Sequence, residues 1–106
     1  MPSEIHLIEH LNHFRCVDKA ANVWESGWWL VSLSTAEQLV GGYLFLHKGQ
    51  VEASFFGGLI TGFRIETEGE WAGRVVFAFI PRSEAKGVKT PKTGWRMEKK
   101  VVLAGK

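Results

Sequence analysis

The chain has 106 residues, 45% of them hydrophobic and 23% charged, a length that holds one domain with one core and a composition that excludes a disordered or fibrous chain. No apolar run nears the roughly 20 residues of a membrane-spanning helix. The acids and histidines of MPSEIHLIEHLNHFR stand where a secretory leader would have a basic end and an unbroken apolar run, so a cytoplasmic protein without a membrane partner is expected.

The net charge of +2 is unevenly placed. Residues 1–81 carry five basic against nine acidic side chains, residues 82–106 eight against two. Such a cationic end reads either as a polyanion-binding edge or as a solvated basic tail.

In chain order, residues 4–8 read as a strand running into irregular chain. A helical reading would align Leu7, Leu11 and Phe14 and set His6, His10 and His13 on one side at metal-ligand spacing. Because no further ligand motif accompanies these histidines, neither a metal nor a cofactor is expected. Cys16 is the single cysteine, which excludes an internal disulfide and suits a buried apolar thiol in a reducing compartment.

WESGWWLVS, residues 24–32, puts three of the five tryptophans into nine positions. Residues 28–33 read as a strand, so Trp28 and Trp29 point to opposite faces and at most one reaches the core. Glu25, Ser26 and Gly27 read as a turn that lets Trp24 fold over the strand start and leave a gap between aromatic faces. The competing reading packs all three rings beneath loops.

Ser34 and Glu37 have capping-box spacing and Gly41 falls where a C-terminal glycine cap belongs, which predicts a helix over 35–40. Residues 43–47 read as a strand and HKGQ as a tight turn. SFFGG, residues 54–58, is either a ligand-facing backbone with Gly57 and Gly58 presenting amides and Ser54 and Phe55 or Phe56 at the rim, or a bulge or corner at which the barrel turns. Residues 59–67 and 74–80, joined by EGEWAG, form the clearest hairpin. In RVVFAFI both alternating faces are apolar, which predicts a central strand. Residues 81–94 are a basic loop, and 95–103 read as a closing strand.

Five or six short strands with one or two small helices predict a mostly β domain spanning 1–106, a small, partly closed barrel. The order helix ending in LVGG, strand YLFLHKG, strand GGLITGFRIE, strand GRVVFAFIP and closing strand after Trp95 resembles the PUA-like superfamily, the small barrels that include PUA, ASCH and EVE domains. Gly41-Gly42 stand where those families commonly have Gly-Asp, and no ASCH-type Gly-x-Lys-x-x-Glu is present. The resemblance implies recognition of RNA or modified nucleotides in a cleft beside the barrel.

The expected activity is therefore binding of RNA or of single-stranded or modified nucleic acid. Trp24, Trp28 and Trp95 are expected to stack, Ser32 and Ser54 to read the base edge, and Lys86, Lys89, Lys92 and Arg96 to meet phosphates. His47, Lys48, Gly57 and Gly58 are candidates for the cleft. Two alternatives stand beside this: an ASCH-type nucleoside hydrolase using Lys48, His47 and Glu52 or Glu66, and a protein-interaction adaptor whose tryptophans are hot spots.

Overall fold

The computed structural model describes residues 3–9 and 13–104. Their strands are β1 (Glu4–Ile8), β2 (Phe14–Asp18), β3 (Val23–Trp29), β4 (Tyr43–His47), β5 (Ser54–Ile65), β6 (Val75–Pro81) and β7 (Lys99–Val102), and α1 (Leu33–Leu39) lies between β3 and β4. All seven strands belong to one sheet in the order β2-β3-β6-β5-β4-β1-β7. β1 runs parallel to β4 and antiparallel to β7.

The domain is mostly β, as its alternation predicts, but the barrel expectation needs correcting. The described residues form seven strands rather than five or six, and their sheet is open, with β2 and β7 as its edges. The extra strand is β2, where Arg15 and Val17 are exposed while Phe14 and Cys16 are half-buried. An edge strand with so little apolar content gives a weak signal until β3 supplies its partner. β3 itself begins five residues before the expected start and ends at Trp29, so Glu25 and Ser26 are strand residues and not a turn.

The helix is capped two residues earlier than its spacing suggests. Ser32, rather than Ser34, is the N-cap, its Oγ accepting from the Thr35 N–H at 3.2 Å and donating to Thr35 Oγ1 at 2.9 Å. Gly41 follows the helix at φ +89°, the left-handed conformation that glycine reaches without a Cβ clash.

β5 and β6 form the expected hairpin, from Ile65 opposite Val75 to Gly58 opposite Pro81. β6 lies between β5 and β3, and Val75, Phe77 and Phe79 are fully buried on its core side. Trp24 opposite Phe79, Ser26 opposite Phe77 and Trp29 opposite Val75 therefore share that side. Ile5 and Leu7 of β1, Leu44 and Leu46 of β4, Ile60 of β5, and Ala36 and Leu39 of α1 complete the core. The sheet coils tightly enough that the Phe14 ring on β2 meets Phe55 and Phe56 of β5, at 5.9 and 5.7 Å between centroids, three strands along.

The reverse face of β4, β1 and β7 carries Tyr43, Phe45, His47, His6 and Lys100, and the segment 86–98 folds over it. Lys100 is 7% exposed, and its Nζ donates to Thr90 Oγ1 at 2.8 Å and to the Pro91 carbonyl at 2.7 Å. Ser54 secures the other end, donating to the Ala85 carbonyl at 2.6 Å and accepting from the Val88 N–H at 3.0 Å. These contacts fix a loop that has only a short β7 after it.

Candidate functional site: an aromatic cavity at the β3 end

At its C-terminal end β3 slips register with β6 between Ser26 and Trp29. Trp29 stays in the core with its indole N–H donating to Ser26 Oγ at 3.0 Å. Trp28 points to the other side, as strand alternation requires. There it stacks on Trp71, which the 3-10 turn Gly69–Trp71 delivers from the β5–β6 connection. The two indoles are nearly parallel, 6° apart with centroids 5.5 Å apart. The ring of His13 meets both edge-on, at 5.1 Å from Trp28 and 5.9 Å from Trp71.

The Trp28 indole is held in place by its N–H, which donates to Glu66 Oε1 at 2.9 Å. That bond, with help from Arg64, holds the Glu66 carboxyl below the usual carboxylate range. Arg64 in turn bridges to Glu25 at 3.2 Å, which keeps its guanidinium firmly protonated. The orientation of Trp28 is thus fixed by a chain of four side chains across β3 and β5.

Beside this pair opens a cavity of about 500 Å³, bounded by Trp28 and Trp71 together with Glu9, Arg74, Arg96 and Met97. The Arg74 guanidinium carbon lies 5.7 Å from the Trp71 ring centre, within cation–π range. Arg96 also lines the cavity, and its backbone pairs with Lys99 as an isolated bridge. Glu9 is 3% exposed, and its backbone is pinned by its N–H donating to the His47 carbonyl at 2.8 Å. A wall that combines stacked indoles with two guanidiniums suits a flat ligand that carries negative charge.

Of the residues expected in a site, only Trp28 and Arg96 meet here. Trp24 lies on the core side against Phe56 at 5.1 Å and Phe14 at 6.4 Å, so no gap opens between Trp24 and Trp28. The Ser32 and Ser54 hydroxyls are taken up by the helix cap and the loop anchor described above. Phe55 is the extra residue of a bulge in which Leu46 pairs with Phe56 and His47 with Ser54, and Lys48 Nζ lies 4.5 Å over its ring. Gly57 and Gly58 serve close strand packing: a Cβ would stand 2.1 Å from the Leu44 carbonyl oxygen at Gly57 and 2.0 Å from that of Ile80 at Gly58. They give a ligand no room, and the bulge reading of SFFGG holds.

The basic segment is spread out rather than lined up. Lys86, Lys89 and Lys92 are exposed along the loop, with Lys86 Nζ 5.9 Å from the Phe56 ring. Lys99 donates to the Leu30 carbonyl, and Lys100 is buried. Trp95 packs over the histidines of the reverse face, 5.7 Å from His47 and 6.4 Å from His6. Its indole N–H is buried without a hydrogen-bond partner among the described residues.

His47 is not at a mouth but fully buried, and it forms a chain with His6. His47 Nδ1 donates to the Glu52 carbonyl at 2.8 Å, His6 Nδ1 meets His47 Nε2 at 2.9 Å, and His6 Nε2 meets Glu4 Oε1 at 2.9 Å. Three such contacts need three N–H protons where two neutral rings supply two. With Glu4 ionised, completing the chain would require one charged ring. Burial opposes that charge and pushes both rings below the ordinary histidine value, the Glu4 hydrogen bond pulling His6 the other way. His6 and His13 are separated by these roles, and His10 lies outside the described residues; among those described, no three His, Cys, Asp or Glu side chains are grouped to hold a metal ion.

Sequence reasoning missed Trp71, Arg74, His13 and Glu9. Trp71 and Arg74 flank the turn EGEWAGR, which reads as a hairpin connector, and the one available signal was a large aromatic ring with an arginine three residues on in an otherwise small, polar loop. No family model, curated protein or solved structure compared with this chain matches it.

Proposed function

We propose that this domain binds a nucleobase, modified or not, of RNA or single-stranded nucleic acid, with the base laid against the Trp28–Trp71 pair and Arg74 and Arg96 meeting phosphate. One observation carries the reading: a cavity of about 500 Å³ whose wall joins two stacked indoles to two guanidiniums. At 5.5 Å the indoles are too close to admit a guest between them, since two ring-on-ring contacts need about 7 Å. The base instead extends the stack from an open indole surface, a contact of about 1–3 kcal/mol that tolerates any base. On this reading the coiled, open sheet is a variant of the PUA-like architecture, its cleft moved to the β3 end.

A protein-contact surface is the second reading, supported by Leu30 and Met97, which are 67% and 87% exposed at the cavity rim. The hydrolase reading has less support. His47 is buried with both ring nitrogens engaged, Lys48 lies over Phe55, and Glu66 is bound to Trp28.

Titration of the intrinsic tryptophan fluorescence with short single-stranded RNA and DNA, with and without base modification, tests the proposal. Quenching is expected. With two phosphate-facing arginines the logarithm of the affinity is expected to fall against the logarithm of salt with a slope of about −1.4. No quenching by any oligonucleotide overturns the proposal, and salt-independent capture of a protein partner supports the second reading instead.

A further inference from the structure

Resting on the base-binding reading of the Trp28–Trp71 cavity, we propose that the bound strand continues past Trp28 into a second subsite, with Arg15 as its phosphate contact. The ligand is then a dinucleotide unit or longer rather than a lone nucleotide. A cavity of about 310 Å³ adjoins the first and shares His13, Gly27 and Trp28 with it. Its remaining wall includes Arg15 of β2, Glu25 of β3, Arg64 of β5 and Val76 of β6. That volume lies at the lower end of the roughly 300–1,000 Å³ of small-ligand sites, and Trp28 is a wall common to both cavities.

The charges of the second cavity leave one cation open. Arg15 stands opposite Glu25 in the β2–β3 register, a place where opposite charges ordinarily pair. The Glu25 carboxylate is instead taken by Arg64, which donates from Nη2 to Oε1 at 3.2 Å and from Nε to Oε2 at 3.3 Å. This fork engages both carboxylate oxygens. Arg64 also pairs with Glu66 at 3.4 Å, so its charge is met twice. Arg15 is left exposed and has no ion pair among the described residues, which suits it to a phosphate. Cations that follow a backbone beside aromatic faces are the arrangement of single-strand sites.

The two cavities are also joined through the side chains that orient Trp28. Glu66 accepts the Trp28 N–H, Arg64 holds Glu66, and Arg64 and Glu25 line the second cavity. A nucleotide seated there rests on the same chain of contacts that presents the indole to its neighbour in the first cavity.

Isothermal titration of the full chain with UMP, uridine 3′,5′-bisphosphate and 5′-phosphorylated UpU tests this. The bisphosphate is the decisive control, because it carries two phosphates on a single base. The dinucleotide is expected to bind about tenfold or more tightly than UMP, the scale of one further base contact, and more tightly than the bisphosphate. Arg15→Gln is expected to lose most of that gain while keeping the UMP affinity. A dinucleotide that binds no better than UMP or the bisphosphate, or a gain that Arg15→Gln leaves intact, overturns the second subsite and leaves the base-binding reading standing. No binding of any nucleotide or oligonucleotide overturns both.

Discussion

Trp24 and Trp28 sit four residues apart on one strand and end in opposite environments. Trp24 faces Phe79 across the β3–β6 pair and packs on Phe14 and Phe56, so Trp24→Ala is expected to lower stability by about 2–3 kcal/mol, less than for a fully buried ring, and to leave nucleotide affinity unchanged. Trp71→Ala should do the reverse, weakening nucleotide binding about tenfold with little change in stability, because a half-buried ring on a connecting turn contributes to the cavity more than to the core. Urea unfolding and nucleotide titration of the two variants check the pair. Equal effects of both on binding would contradict the assignment of sides.

What the sequence made legible at this scale was alternation: the opposed faces of Trp28 and Trp29 follow from strand geometry alone. The side taken by Trp24 did not, because the register slip between Ser26 and Trp29 breaks the alternation that would put Trp24 and Trp28 on one face. Glu25-Ser26-Gly27 has turn composition, and it is held extended by β2 on one side and β6 on the other, a tertiary override of local preference.

Among the elements, the segment 86–98 shows how a basic loop can be structural. Its lysines suggest a groove, but it is secured by Ser54, Lys100 and the packing of Trp95 over His6 and His47. Ser54→Ala removes a donor to Ala85 and an acceptor for Val88, and a loss of about 1–3 kcal/mol is expected, read from the urea midpoint. An unchanged midpoint would contradict the anchoring role.

The histidine chain beneath the same loop gives a pH dependence with a fixed sign. Burial lowers both rings from their ordinary value of 6.5, and the native pair holds at most one extra proton where the unfolded chain takes two. Stability is therefore complete above about pH 6.5 and falls as the pH drops through that value toward the lower native ones. Glu4 and Lys100, the charged groups facing His6, moderate the size of the effect and not its direction. Urea midpoints at pH 7.5, 6.5 and 5.5 should decline in that order, and midpoints that rise on acidification would show the rings to be stabilised as cations.

Over the whole molecule, mostly β content, the 43–47 strand, the β5–β6 hairpin and the central place of β6 were legible because each rests on local alternation or on turn composition. Strand number and sheet order were not. β1 pairs with β4 and β7, partners that lie far along the chain, and no local pattern specifies such long-range pairing. The candidate site shares that difficulty, since the cavity gathers residues from β1, β3, the β5–β6 turn and the approach to β7. Trp28 and Arg96 were visible as residue types suited to the chemistry, whereas the partners that complete the wall are brought to them only by the coil of the sheet.

The central claim is that the surface beside Trp28 and Trp71 receives a flat ligand, and a crystal structure of the protein grown with a mononucleotide tests it most directly. The account predicts a base in ring-to-ring contact with one of those indoles and its phosphate within reach of Arg74 or Arg96. A base resting instead on the Phe14, Trp24 and Phe55 side, or a well-ordered cavity left empty at saturating nucleotide, would contradict it.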